Sequence, residues 1–319
     1  MGVSKRHHTV PKFYLNGFGS ADNTPQLGAV RLSDAKRLVI PTTHATVRTN
    51  FYALPGHPEG ADVFEKELSR MEGDASAIIR KAVTGTWPLP REDREILGTF
   101  LALQFRRGPD ARMLMDQMYG KALSQVISQM GVDGVRATLA QSGKHVGDDV
   151  LDRLVQQASE SEGLTMKTAP AEHILHILEL VPRLVPYFIG RPWILIRFNR
   201  RKLLTCDTPV ALVRDLKLDG VFTGVGVATA WGISLPLARD VGLLLGNPQP
   251  LFEEAAGQTA LTELWDQIVA GGHDREMAGT TKMARLLNSH TIANARNWVF
   301  HHPDDAGLVP GEFPGPRDR

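Results

Sequence analysis

Two predicted amphipathic helices, at residues 61–83 and from Arg91 onward, constrain the fold of this chain most. In the first helix, apolar side chains recur every three or four residues, at Phe64, Leu68, Met71, Ala75, Ile78 and Ile79. A proline-rich break at residues 87–90 separates the helices, and the second opens with acidic residues, which the helix dipole favours there. The predicted buried face of the second helix carries Ile96, Phe100 and Leu103.

Strand-like runs lie on both sides of the helical middle of the chain. Residues 28–32 and 37–40 are separated by turn residues and predict an N-terminal hairpin. Later strands are predicted at residues 193–198, 202–206, 231–235, 241–245 and 297–300, with the first two joined as a hairpin. Further helices are predicted at residues 110–161, with an interruption from Gly143 to Gly147, and at residues 172–180, 261–270 and 276–296.

These patterns predict an α+β fold that is mainly helical, with an antiparallel sheet built from the N-terminal hairpin and the later strands. We expect prolines 182 and 186 to shape the end of the 172–180 helix. No dividing linker is evident, so a single domain is predicted over residues 1–302. The proline-rich residues 303–319 are predicted to form a flexible tail.

Charge and cysteine content exclude several classes of protein. The 36 basic and 35 acidic residues leave a formal charge of +1, so no global field marks a nucleic-acid or membrane binder. The single cysteine, Cys206, excludes an internal disulfide framework and fits a reducing cytoplasm. No signal peptide or membrane-spanning run is evident, so a soluble cytoplasmic protein without a membrane partner is predicted.

The N-terminal segment is locally basic although the chain as a whole is neutral. No acidic residue precedes Asp22, whereas Lys5, Arg6 and Lys12 stand close to His8. Such a patch suits an anionic ligand, and a solvated basic N-terminus explains it equally well.

Helical projection places three polar residues near apolar faces. Glu72 lies roughly 80° from Phe64, and Gln104 and Arg107 lie roughly 80° and 20° from Ile96. An unpaired buried guanidinium costs several kcal/mol, so Arg107 needs a partner, and Glu72 is the predicted one.

A series of landmarks resembles the uncharacterised, mainly bacterial domain-of-unknown-function family 4238, over nearly the whole chain. The landmarks are His8-Thr9-Val10-Pro11-Lys12-Phe13-Tyr14-Leu15 with Phe18, Asn50-Phe51-Tyr52, Glu65, Met71-Glu72-Gly73, Leu103-Gln104-Phe105-Arg106-Arg107, Leu204-Thr205-Cys206-Asp207-Thr208-Pro209-Val210, Ser234-Leu235-Pro236-Leu237 and the helix from Leu287-Asn288 to Ala295. Because members of the family are largely uncharacterised, the resemblance implies no particular activity.

The polar residues predict a metal-assisted hydrolase that acts on a phosphate-bearing substrate, with nucleic acid expected and a role in bacterial defence. His8, Glu72 and Asp207 are the predicted ligands of a divalent metal of undetermined identity, and His8 is an alternative general base. Arg107 is predicted to stabilise anionic charge. Lys5, Arg6, Lys12 and Gln104 are the predicted substrate-binding residues.

Two structural alternatives remain open at this stage. The same His, Glu, Arg and Asp residues can form a buried network in a non-catalytic binding or regulatory protein. Asp207 follows a predicted strand and precedes Thr208-Pro209, so it can equally cap a turn.

Overall fold

The computed structural model describes residues 4–160, 162–215, 225–255 and 257–313. Helices in these ranges are α1 (Lys12–Asn16), α2 (Val63–Thr84), α3 (Arg91–Arg106), α4 (Pro109–Gln141), α5 (Asp148–Ser159), α6 (Pro170–Ile189), α7 (Gln249–Glu254), α8 (Gln258–Val269) and α9 (Thr281–Asn294). Strands are β1 (Arg6–His8), β2 (Gln26–Arg31), β3 (Arg37–Pro41), β4 (Val47–Thr49), β5 (Trp193–Arg197), β6 (Thr205–Cys206), β7 (Ala211–Val213), β8 (Gly232–Ala238), β9 (Val241–Leu245), β10 (Arg275–Ala278) and β11 (Trp298–His301). With 49% helix and 16% strand, the fold is α+β and mainly helical, as predicted.

The chain divides into two compact units. The first comprises Met1–Gly108 and Ile174–Asp318, and the second comprises Pro109–His173. The main apolar cluster of the first unit packs α2 and α3 against the strands, and the second unit has a small cluster of its own around Ile127 and Leu151. The single-domain prediction for residues 1–302 stays a prediction.

Helices α2 and α3 confirm the helical periodicity, with one error in the predicted face. Phe64, Leu68 and Phe100 are buried as expected, whereas Ile96 is 40% exposed. The buried positions of α3 include Leu97 and Leu101 instead. Ile96 is exposed because it borders an open cavity of about 480 Å³ between α2 and α3.

The strands form two main sheets and a short N-terminal pair. One sheet has the order β3-β2-β11-β6 and is antiparallel throughout, so the N-terminal hairpin does pair with later strands. The other has the order β10-β5-β9-β8-β7 and is mixed, because β10 runs parallel to β5. In the third, β1 pairs with β4.

Three local predictions were wrong. Residues 193–206 do not form a hairpin, because β5 pairs with β9 and β10 in one sheet while β6 pairs with β11 in the other. The helix predicted at residues 172–180 is longer, since α6 continues through both prolines to Ile189. The helix predicted at 276–296 begins later, because β10 occupies Arg275–Ala278 and Thr280 caps α9 by accepting from the Met283 N–H.

The C-terminal residues continue beyond β11 into packed structure. Pro303–Leu308 forms a 3-10 helix, and Val309 is buried in a small cluster with Val30 and Val299. Residues 314–319 of the predicted tail lie outside the described residues. Across the described ranges, we find no helix with both the length and the apolar character needed to cross a membrane.

Candidate functional site

Arg107 is the centre of the polar site. Its side chain is fully buried, at the C-terminal end of α3, and its Nη1 donates to Glu72 Oε1 on α2 at 2.8 Å. Its Nη2 donates to the carbonyl of His8 at 2.9 Å, and its Nε to the carbonyl of Thr9 at 3.1 Å. Helical projection therefore predicted both the burial of Arg107 and its partner correctly.

The N-terminal segment is held against α3 by further contacts. His7 is buried and stacks on Tyr52, and the Tyr52 backbone N–H donates to His7 Nδ1 at 2.8 Å. The Tyr52 hydroxyl donates to the Arg107 carbonyl at 2.7 Å, and Gln104 Nε2 donates to the Thr9 carbonyl at 3.0 Å. The segment is thus fixed against α3 through the backbone carbonyls of His8 and Thr9.

His8 is a half-buried histidine with one ring nitrogen unused. Burial lowers the pKa of His8, and the nearby charge of Arg107 lowers it further, whereas a hydrogen bond with the Thr43 backbone raises it. Among the described residues, the buried Nε2 has no hydrogen-bond partner. In the neutral tautomer that carries its proton on Nδ1, Nε2 is the nitrogen that accepts a proton.

Glu65 is the site residue that sequence reasoning missed. Burial raises the pKa of Glu65 to about 7 and the nearby charge of Glu72 raises it further, whereas Arg107 and the His8 backbone oppose the shift. Among the described residues, its buried Oε2 has no hydrogen-bond partner. The sequence signals were its place among the family landmarks and its position next to Phe64, at the edge of the apolar face of α2.

We expect Glu65→Gln to stabilise the protein above pH 7 by about 1–2 kcal/mol and to leave its stability at pH 4 unchanged. The folded-state pKa is about 7 against a reference value of 4.5, so the folded protein binds more protons between these values. The wild type therefore loses stability as the pH rises from 4.5 through 7, whereas the amide does not ionise. Urea unfolding of both proteins at pH 4, 6 and 8 measures this difference, and a gain of equal size at all three pH values would contradict it.

Three buried polar atoms near Arg107 have no partner within the part of the chain that the structure describes. They are His8 Nε2, Glu65 Oε2 and Gln104 Oε1. Buried polar groups are nearly always hydrogen-bonded, and exceptions need an explanation such as a catalytic role or a bound molecule. His8, Glu65, Glu72, Gln104 and Arg107 are hereafter called the polar centre.

The predicted substrate-binding cations lie at the surface of the same segment. Lys5, Arg6 and Lys12 are exposed. Arg6 Nη2 donates to the Thr43 carbonyl at 3.1 Å, which is also the backbone group beside His8. Both Arg6 and Lys12 are near enough to His8 to lower its pKa. Positive charge thus accumulates on the side of His8, as a phosphate-binding site requires.

Asp207 has a different environment from the polar centre. Its Oδ1 accepts from the Arg296 N–H at 2.9 Å and its Oδ2 from the Asn297 N–H at 2.9 Å. Its own N–H donates to the Trp298 carbonyl, and burial raises the pKa of its carboxyl. These contacts are those of a turn cap between α9 and β11, the structural alternative considered for Asp207.

The predicted metal ligands are His8, Glu72 and Asp207. Among the described residues, no group of three or more His, Cys, Asp and Glu side chains is arranged to hold a metal ion. His8, Glu72 and Asp207 therefore do not form a three-ligand site. The arrangement is instead one of hydrogen-bond donors and acceptors around a buried guanidinium.

The cavity between α2 and α3 is lined by residues other than those of the polar centre. Its lining residues are Met71, Asp74, Glu92, Glu95, Ile96, Thr99 and Phe100. Gly73 on α2 has open space where a Cβ would lie, since no heavy atom of the described residues comes within 4 Å of that position.

Comparison with known protein families shows to which family the chain belongs. A model of the family described as "Protein of unknown function (DUF4238)" matches residues 6–305. The chain belongs to this family. The resemblance drawn from the sequence landmarks is confirmed. No curated protein and no solved structure matches this DUF4238 chain.

The landmarks of this DUF4238 protein meet in the structure. The Tyr14 hydroxyl donates to the Pro236 carbonyl at 2.6 Å and lies 2.8 Å from Thr205 Oγ1. Asn288 Oδ1 accepts from the Leu204 N–H at 2.9 Å, and its Nδ2 donates to the Lys202 carbonyl. The landmarks around Tyr14, Thr205, Pro236 and Asn288 therefore join α1, α9 and both main sheets. The landmarks that contain His8, Glu65, Glu72, Gln104 and Arg107 build the polar centre.

Proposed function

We propose that this DUF4238 protein is a cytoplasmic hydrolase of a phosphate-bearing substrate, with nucleic acid as the expected substrate and bacterial defence as the setting. The observation that carries the proposal is a set of three buried polar atoms of the polar centre that have no partner among the described residues: His8 Nε2, Glu65 Oε2 and Gln104 Oε1. Burial lowers the pKa of His8 and raises the pKa of Glu65 to about 7. A base and an acid that coexist near neutral pH are what general acid–base hydrolysis needs.

In the proposed reaction, His8 and Glu65 move the protons. Water attacks phosphorus and forms the new P–O bond, and its proton passes to His8 Nε2. The P–O bond to the leaving group breaks, and the protonated Glu65 supplies a proton to the leaving oxygen. Lys5, Arg6 and Lys12 attract the phosphate, and the free Gln104 Oε1 accepts from a substrate donor.

Arg107 and Glu72 have a positioning role in this proposal. All three donor atoms of Arg107 are used by His8, Thr9 and Glu72, so the guanidinium holds the His8 backbone in place. A divalent cation remains part of the proposal only in the form common for Mg²⁺, in which one or two carboxylates act together with substrate phosphates. Such a cation would neutralise developing charge on the phosphate.

A second candidate function has its own support. The three hydrogen bonds of Arg107 join α3, α2 and the N-terminal segment, as a structural lock would. In that case the protein is a non-catalytic binding or regulatory protein, and His8 is dispensable for its action.

The test is cleavage of labelled RNA, labelled DNA and a nitrophenyl phosphodiester by the full chain, with added Mg²⁺ or Mn²⁺ and with a chelator. We expect His8→Gln to lower the cleavage rate at least about 100-fold. The rate should fall as the pH rises through about 7, because Glu65 loses its proton. The matched control is His44→Gln, since His44 is an exposed histidine of the same N-terminal region.

The two candidate functions give opposite results in this assay. Absence of cleavage under all these conditions, or an unchanged rate for a folded His8→Gln protein, rejects the hydrolase. Equal losses in His8→Gln and His44→Gln would also reject it, because the effect would then not belong to the polar centre.

A further inference from the structure

Helix α4 of the second unit exposes a regular apolar stripe. The stripe consists of Tyr119, Leu123, Val126 and Met130, which are between 37% and 50% exposed. The spacing of four, three and four residues is that of the a and d positions of a heptad repeat. A soluble helix normally turns such a stripe towards an apolar partner.

The other side of α4 is already committed to its own unit. A Cβ at Gly120 would lie 2.3 Å from the Leu164 carbonyl oxygen, so only glycine permits this approach. Ser124 Oγ accepts from the Leu164 N–H at 2.7 Å, and Ile127 belongs to the apolar cluster of the unit. The 119–130 stripe is therefore a second apolar face and not the core face of the helix.

The spacing of the stripe is the same when it is read from either end. When two copies of α4 pack in antiparallel orientation, Tyr119 of one copy therefore lies opposite Met130 of the other. Leu123 of one copy likewise lies opposite Val126 of the other. Antiparallel helices pair a positions with d positions in this way. Such an arrangement has two-fold symmetry, and the same patch serves both copies.

The flanks of the stripe favour a second copy over a charged partner. Ala122, Gln125 and Gln129 are exposed on one side of it and carry no charge. Two identical helices therefore meet there without like-charge repulsion, whereas a basic or acidic partner helix would find no complementary charge. The helix is regular up to Met130, since non-helical backbone begins at Gly131 with φ 63° and ψ −176°.

The exposed area is sufficient for a weak dimer. Met118 lies beside the stripe and is 60% exposed. With about 150 Å² for a large apolar side chain, these five side chains offer about 350 Å² per copy. Two copies together therefore offer about 700 Å² of apolar surface, which is the size of a weak and reversible contact.

From these observations we propose that the chain self-associates through the 119–130 stripe as an antiparallel, two-fold helix pair. The association expected for an apolar seam of this size is weak and depends on the protein concentration. This interface is independent of the hydrolase proposal.

Sedimentation equilibrium of the full chain between about 1 and 200 µM tests the association. We expect a monomer–dimer equilibrium for the wild type and a monomer throughout this range for Leu123→Glu, which places charges at the centre of the seam. Lys121→Glu is the matched control, because Lys121 is an exposed residue of the same helix outside the stripe. It should dimerise like the wild type.

A disulfide tests the orientation. In Tyr119→Cys/Met130→Cys, the two cysteines of one helix are about 16 Å apart along its axis and cannot bond to each other. They meet only between antiparallel copies, so oxidation should give a covalent dimer. Tyr119→Cys alone should remain uncrosslinked, since the native Cys206 is buried.

Four results would overturn the proposal. They are a monomeric wild type at all concentrations, a dimer that persists in Leu123→Glu, a crosslink in Tyr119→Cys alone, and no crosslink in the double variant. A wild-type monomer whose Leu123→Glu variant melts at a clearly lower temperature would show that the stripe packs within the chain instead.

Discussion

Replacement of Arg107 by methionine should lower the free energy of unfolding by about 3–5 kcal/mol. Methionine keeps much of the apolar stem but leaves the carbonyls of His8 and Thr9 and the carboxylate of Glu72 without their donor. Unsatisfied buried acceptors and a broken buried ion pair are among the costliest changes in a protein. Urea denaturation at pH 7 measures the loss directly.

Hydrogen exchange adds a local measurement to this variant. The backbone amides of the N-terminal segment should lose protection more than those of the sheets, because Arg107 holds that segment on α3. Arg70→Met is the matched control, since Arg70 on α2 is 77% exposed and pairs with an exposed Glu67. A loss below about 1 kcal/mol for Arg107→Met would show that the segment is held mainly by other contacts.

Replacement of Asp274 by alanine should also cost about 3–5 kcal/mol, a large part of the total stability of an ordinary domain. Asp274 and Arg94 form an ion pair in which both side chains are fully buried. Asp274 Oδ1 also accepts from the Trp193 N–H at 2.8 Å, and the Arg94 guanidinium lies 4.2 Å from the centre of the Trp193 ring. The alanine variant leaves a buried guanidinium without its counter-charge.

The control for Asp274→Ala is Asp266→Ala. Asp266 is 57% exposed and pairs with an Arg91 that is 52% exposed, so its replacement should change stability by less than about 0.5 kcal/mol. The double variant Arg94→Met/Asp274→Leu should be less destabilised than Asp274→Ala, because it removes both charges together. Equal effects of the buried and the exposed replacements would contradict the prediction.

The polar centre was only partly predictable from the sequence. Burial of Arg107 and its pairing with Glu72 followed from helical projection, because the angular position of a residue is set by the helix that contains it. Glu65 was missed because its pKa is raised by burial and by the nearby charge of Glu72, against the opposing charge of Arg107. Asp207 was grouped with His8 as a metal ligand, yet its carboxylate accepts from two backbone N–H groups at another turn.

The errors in the predicted fold also arise from contacts that depend on the tertiary structure. The segments at residues 193–206 are close in sequence and were predicted to pair, but β5 and β6 have partners from distant parts of the chain. Ile96 matches the apolar period of α3 and is nevertheless exposed, because the neighbouring space is a cavity. Periodicity states which side of a helix is apolar and does not state whether another element covers it.

The sequence by itself determined the family, the α+β class, the helices α2 and α3, and the directions in which Glu72 and Arg107 point. These depend on the local period of the backbone and on landmarks in a fixed order. Only the tertiary structure decided which backbone carbonyls Arg107 binds, that His8 Nε2 has no partner among the described residues, and that burial raises the pKa of Glu65 to about 7. Those properties arise from burial and from contacts between residues far apart in the chain, which no local pattern encodes.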